Sequence, residues 1–172
     1  MRKLKIIFLD IDGVMQSTSS MIRTRFGGGF LHGEHVNALN WIIEKTDAYV
    51  VLTSTYRVGA TIRDIKQAFM DNGVRSDRVV SMTPVLGTNR GAEIADWLNT
   101  RKVKGDYEIE QYVVIDDGND MAGINWGMFI NTDADYGLTY VEAERAINLL
   151  NGKPRVSAVD PIVFTRQLSA IG

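Results

Sequence analysis

Four apolar residues, Ile6-Ile7-Phe8-Leu9, run directly into Asp10-Ile11-Asp12-Gly13-Val14, and this junction constrains the chain more than any other. An unbroken apolar run bounded by charge reads as a strand buried on both faces of a sheet. Such a strand delivers Asp10 and Asp12 to its carboxyl end, where open α/β sheets build their sites. At i and i+2 on an extended backbone the two carboxylates share one side. Two anions that close repel unless a proton or a cation lies between them. A hard, oxygen-preferring ion such as Mg2+ satisfies the pair at neutral pH. The same residues also read as a strand end followed by an Asp-Gly turn with both carboxylates solvated. The motif alone leaves both readings open.

The remainder of the 172 residues alternates short apolar runs with amphipathic stretches. Strands are expected at 5–10, 48–53, 78–82, 111–116 and 127–131, and helices at 34–46, 61–72, 90–101 and 139–151. That alternation predicts an α/β fold, a three-layer Rossmann-like parallel sheet of about five strands with crossover helices on both faces. Thr61 with Asp64 forms a capping arrangement, and Asn72-Gly73 stops the helix behind it. Thr139 precedes a second amphipathic run that Asn151-Gly152 closes. One domain over 1–152 is expected, followed by a tail, 153–172, that carries Pro154, Pro161 and Ile162-Val163-Phe164. The long connection 14–33 includes Gly27-Gly28-Gly29 but lacks the lysine and helix start of a P-loop, and reads as a mobile flap.

Charge and composition exclude more than they propose. A net charge of −2 gives no global electrostatic case for nucleic-acid or membrane binding. The absence of cysteine excludes disulfides, thiolate metal sites and a cysteine nucleophile. The basic start Met1-Arg2-Lys3-Leu4-Lys5 is followed by too short an apolar run for a signal-peptide core, and no segment approaches a membrane span. A cytoplasmic protein is expected.

Three further segments place reactive residue types where an active site needs them. Val50-Val51-Leu52 leads into Thr53-Ser54-Thr55-Tyr56-Arg57, and Val113-Val114-Ile115 leads into Asp116-Asp117-Gly118-Asn119-Asp120. Between them, Thr88-Asn89-Arg90-Gly91 opens a helix near Ala92. In this order and spacing the chain resembles the haloacid dehalogenase (HAD) superfamily over roughly residues 5–132. More narrowly it resembles the small HAD domains of RNA-repair proteins, through Leu52-Thr53-Ser54-Thr55-Tyr56-Arg57, Arg90-Gly91-Ala92-Glu93-Ile94 and Tyr136-Gly137-Leu138-Thr139.

The resemblance implies a Mg2+-dependent phosphatase with a minimal or absent cap domain. Asp10 would be the nucleophile that attacks phosphorus. Asp12 would be the general acid and then the base, its backbone carbonyl also reaching the metal. Thr53, helped by Ser54, would donate to the phosphoryl oxygens, although strand-end capping of backbone groups is the plainer role for such hydroxyls. Arg90 would stand where the superfamily usually has lysine, with Arg57 and Lys102 as competitors and Arg57 as a second phosphate contact. Asp116 and Asp117 cannot point the same way from a strand. Asp117 would bind Mg2+ directly and Asp116 through water or by orienting a ligand, while Asp120 would hold Arg90 or support the metal ligands. An open site suits a bulky substrate such as a nucleic-acid end or a protein phosphate and can also serve small phosphate esters; a nucleotide or polynucleotide end phosphate is favoured, with Arg23, Arg25, Arg57, Arg101, Lys102 and Lys104 able to form a basic rim.

Two other readings stand beside this one: a phosphoacceptor signalling module, and an inactive HAD-like scaffold. His32 and His35 lack a third ligand of matching softness and read as surface residues or flap contacts. Trp41, Trp97 and Trp126 read as core.

Overall fold

The computed structural model describes residues 2–19, 31–87, 89–104 and 107–153. Its five strands are β1 (Arg2–Leu9), β2 (Tyr49–Leu52), β3 (Val79–Met82), β4 (Tyr107–Asp116) and β5 (Phe129–Asn131). They form one parallel sheet in the order β3-β2-β1-β4-β5. The chain first builds outward from β1 to β3, then returns to the other side of β1 with β4. The order therefore reverses at the β1/β4 pair, and the crevice beyond the carboxyl ends of those two strands is the topological switch point.

Alternate residues of each strand serve two separate cores, as the period of two demands. Ile7, Leu9, Val50, Leu52, Val113 and Ile115 pack against the helices α1 (Gly33–Thr46), α2 (Ile62–Asp71) and α4 (Tyr140–Leu150). Ile6, Phe8, Val51 and Val114 face α3 (Arg90–Lys104) through Ile94 and Trp97. Phe8 meets Trp97 edge-on with ring centroids 5.3 Å apart. Among the described residues the layers are thus uneven, with α1, α2 and α4 on one face and α3 on the other.

Helix boundaries follow their caps. Thr61 accepts from the Asp64 backbone while Asp64 receives the Thr61 backbone N–H, and Thr139 forms the same reciprocal box with Glu142. Each cap is worth about 1 kcal/mol. Asn72 and Asn151 close the same two helices, each followed by a glycine of positive φ.

Two strands reach further than their apolar runs suggest. β1 begins at Arg2 and β4 at Tyr107, paired from Arg2↔Tyr107 onward with an irregularity between Leu4 and Lys5. Backbone hydrogen bonds do not depend on side-chain polarity, and Lys3 opposite Glu108 puts opposite charges on partnered positions. Trp126, expected in the core, is 55% exposed and meets Phe129 in an edge-to-face pair. No helix among the described residues is long and apolar enough to cross a membrane. The triple glycine, Arg23, Arg25 and the tail beyond Lys153 lie outside the described residues, as do the side chains of Arg101, Lys102 and Lys104.

Candidate active site

The sheet ladder continues one residue past its strands on the carboxyl edge. Asp10 N–H donates to Ile115 O (3.1 Å), Thr53 N–H to Leu9 O (2.8 Å), Thr83 N–H to Leu52 O (3.0 Å) and Thr132 N–H to Asp116 O (3.0 Å). Asp10, Thr53, Thr83 and Asp116 therefore stand in one row, and the switch point lies between Asp10 and Asp116.

Asp10, Asp116 and Asp117 each offer a carboxylate oxygen, and these atoms all lie within 4.8 Å of one another. Of these two neighbours in sequence, Asp116 is buried and Asp117, just past the end of β4, is exposed, yet both reach the same cluster. The Arg90 guanidinium bridges two of the three, 2.8 Å from Asp10 and in direct contact with Asp116. Asp116 also accepts from Gly118 N–H at 2.8 Å.

Burial and the neighbouring Asp10 charge push the Asp116 carboxyl up to about 7, against the pull of Arg90. Asp117 is raised by desolvation and Asp10, and Asp12 by desolvation, Asp10 and Asp117. Burial works against the charge on Arg90, yet Asp116 and Asp10 together raise its pKa and hold it protonated. One guanidinium thus leaves the group with excess negative charge. An all-oxygen donor set so close together, with Asp116 and Asp117 pushed upward, fits a hard divalent cation rather than a soft one.

Neighbouring segments hold these groups by their backbones. Asp120 accepts Arg90 N–H through its carboxylate (3.2 Å) and Gly91 N–H through its carbonyl (3.1 Å), and Asn89 caps Ala92 N–H (2.8 Å). A side chain at Gly91 would fall 2.3 Å from the Ala122 carbonyl, so only glycine lets the start of α3 dock there. The Asn131 amide donates to the carbonyls of Asp116 (3.1 Å), Asp117 (2.9 Å) and Gly118 (3.3 Å), and the Thr132 hydroxyl to Gly13 O (2.8 Å). Asn131 and Thr132 were not singled out from the sequence. They carry the same signal as the other sites, polar residues directly after an apolar strand.

The two hydroxyls after β2 differ. The Ser54 oxygen accepts Tyr56 N–H (3.4 Å), the capping role, whereas the Thr53 hydroxyl is fully buried at the row of site residues with no hydrogen-bond partner among the described residues.

Arg57 is a correction. Expected as a phosphate contact, it is 6% exposed and has all five of its N–H groups engaged. They donate to Thr83 O (3.1 Å), Thr53 O, Ser54 O (2.8 Å), Pro84 O (3.2 Å) and Glu93. No donor remains for a phosphate. Its role is to tie the loops after β2 and β3 to α3.

His35, read as a surface residue or a flap contact, does meet the 14–33 connection through Ser17, but from a buried position. Its Nδ1 is bonded to Leu138 O (2.9 Å) and its Nε2 to the Ser17 hydroxyl (3.2 Å). A carbonyl only accepts, so Nδ1 carries the proton and Nε2 receives the serine hydrogen.

A parallel α/β sheet that gathers three carboxylates and an arginine at its switch point defines a Rossmann-like protein with an acidic, oxygen-donor site. A family model for the HAD domain in Swiss Army Knife RNA repair proteins matches residues 6–143, and the chain belongs to that family. No curated protein and no solved structure matches it. Membership supports a HAD-type phosphatase.

Proposed function

We propose that this chain is a Mg2+-dependent phosphomonoester hydrolase that works through a covalent aspartyl phosphate on Asp10. The observation that carries the reading is the bridge from Arg90 to Asp10 and Asp116 beside Asp117. Phosphoryl transfer asks mainly for in-line placement and charge neutralisation, and Arg90 puts positive charge beside Asp10. Mg2+, held by Asp10, Asp116, Asp117 and the Asp12 carbonyl, would add positive charge against the phosphoryl oxygens.

A carboxylate oxygen of Asp10 attacks phosphorus while the bond to the leaving oxygen breaks. Asp12, whose carboxyl is raised above its ordinary range, delivers its proton to that oxygen. Asp12 then takes a proton from water, the water oxygen attacks phosphorus, and the bond to Asp10 breaks to release inorganic phosphate. Throughout, Arg90 offsets charge on Asp10 and the phosphoryl group, and the Thr53 hydroxyl, which has no partner among the described residues, donates to a phosphoryl oxygen. The family's occurrence in RNA repair proteins favours a nucleotide or polynucleotide end phosphate as substrate.

Phosphate release from a simple ester with and without Mg2+, for the wild type and Asp10→Asn, tests the proposal. Release that needs Mg2+ and disappears in Asp10→Asn is expected. Unimpaired release by Asp10→Asn would remove the covalent step.

A further inference from the structure

We infer that Tyr56, Val58, Val85 and Leu86 form a rigid apolar shelf beside the phosphate site, and that it receives the terminal nucleobase of the phosphate-bearing substrate. The inference rests on the phosphatase reading above and specifies its substrate class.

The shelf is built by the buried Arg57. Its guanidinium bonds to Ser54 O in its own turn and to Thr83 O and Pro84 O in the loop after β3. Its partner Glu93 accepts Leu86 N–H at 2.9 Å through its other oxygen. The loops after β2 and β3 are thereby clamped to each other and to α3. On either side of these anchor points the chain turns large apolar side chains outward: Tyr56 is 41% exposed, Val58 62%, Val85 58% and Leu86 48%. Single exposed apolar residues need no explanation. Four on two loops that Arg57 and Glu93 clamp together next to Thr53 are held there by the fold, so a ligand bears little of the cost of ordering those loops.

Position and charge identify the occupant. Tyr56 lies three residues beyond Thr53, in the 3-10 turn Thr55–Arg57. Residues 53–60 and 83–87 contain one cation, Arg57, and its donors are all engaged. The shelf therefore offers apolar and aromatic surface without charge to meet a phosphodiester backbone. A flat base attached through its sugar to the reacting phosphate matches that chemistry, because every base presents a π-face to an aromatic ring.

Full-length wild type, Tyr56→Ala and Tyr56→Phe are compared with Mg2+ on a short single-stranded oligonucleotide bearing a terminal phosphate, and on glycerol phosphate. Binding of the same oligonucleotide is followed by fluorescence anisotropy, and thermal melts check that the exposed substitutions fold. For Tyr56→Ala the ratio of kcat/KM between oligonucleotide and glycerol phosphate is expected to fall about tenfold, through KM, with anisotropy weakened in parallel. Tyr56→Phe should keep the wild-type ratio. An unmoved ratio would overturn the shelf, as would a larger Tyr56 dependence for a phosphopeptide. Brisk hydrolysis with an unmoved ratio leaves the phosphatase reading intact. Oligonucleotide binding that depends on Tyr56, without phosphate release from either ester, sinks the phosphatase and keeps the shelf.

Discussion

A methyl group at Gly13 would lie 2.4 Å from the carboxylate carbon of Asp117. The loops after β1 and β4 thus touch where only hydrogen fits, and Gly13 holds a φ of +69° that side-chain-bearing residues rarely adopt. The contact brings the first acidic motif against the last.

Gly13→Ala must therefore strain the backbone and push Asp117 away from Asp10. A loss of roughly 1–3 kcal/mol in stability is expected from the backbone alone. Divalent-cation affinity and phosphate release should fall further than stability does. Melting curves with and without Mg2+ separate the two effects.

Arg90 touches both Asp10 and Asp116, so its removal leaves two close carboxylates without their shared counter-charge. Arg90→Ala should lower kcat on the order of a hundredfold or more, the scale seen when one charge-stabilising donor is deleted. Arg90→Lys should recover part of it, since a single ammonium keeps the charge but loses the fork. Equal kcat for the two variants would show that charge at this position does not matter.

The buried pair of Arg57 and Glu93 makes a different prediction. Deleting either partner strands a buried charge, and Arg57→Ala also orphans backbone carbonyls, so a loss of about 3–5 kcal/mol is expected. The double variant should be less destabilised than the sum of the single ones. Denaturant unfolding of the four proteins measures this coupling.

His35 gives the fold a pH dependence. Burial lowers its pKa below the ordinary 6.5. As pH falls through 6.5 the unfolded chain takes up the proton before the folded chain does. The stability contribution is therefore complete above 6.5 and declines below it, toward the depressed folded value. Unfolding free energies across that range should decline on the acid side, and His35→Gln should flatten this part of the slope.

The fold was legible because its strands announce themselves: four apolar runs end abruptly in polar residues, and both capping boxes can be spelled from Thr61-Asp64 and Thr139-Glu142. The polar extensions of β1 and β4 were not legible, since backbone pairing rather than apolar pattern holds them. Asp10, Asp116, Asp117 and Arg90 were found as candidates and do converge, because short connections leave a strand-end residue few places to go. Arg57 was misread for a reason sequence does not resolve. An arginine beside a phosphate motif and an arginine bonded to its own backbone look identical until the neighbouring loop, Thr83-Pro84, is placed. His35 was read as a surface residue or a flap contact, and its burial was not legible because its partners, Ser17 and Leu138, lie 18 and 103 residues away.

The covalent role of Asp10 is tested most directly by acid-quenching a single turnover on a radiolabelled phosphomonoester and mapping the labelled peptide. The expected result is a hydroxylamine-labile label on the peptide containing Asp10, absent from Asp10→Asn. Phosphate released at full rate with no label on that peptide would contradict it.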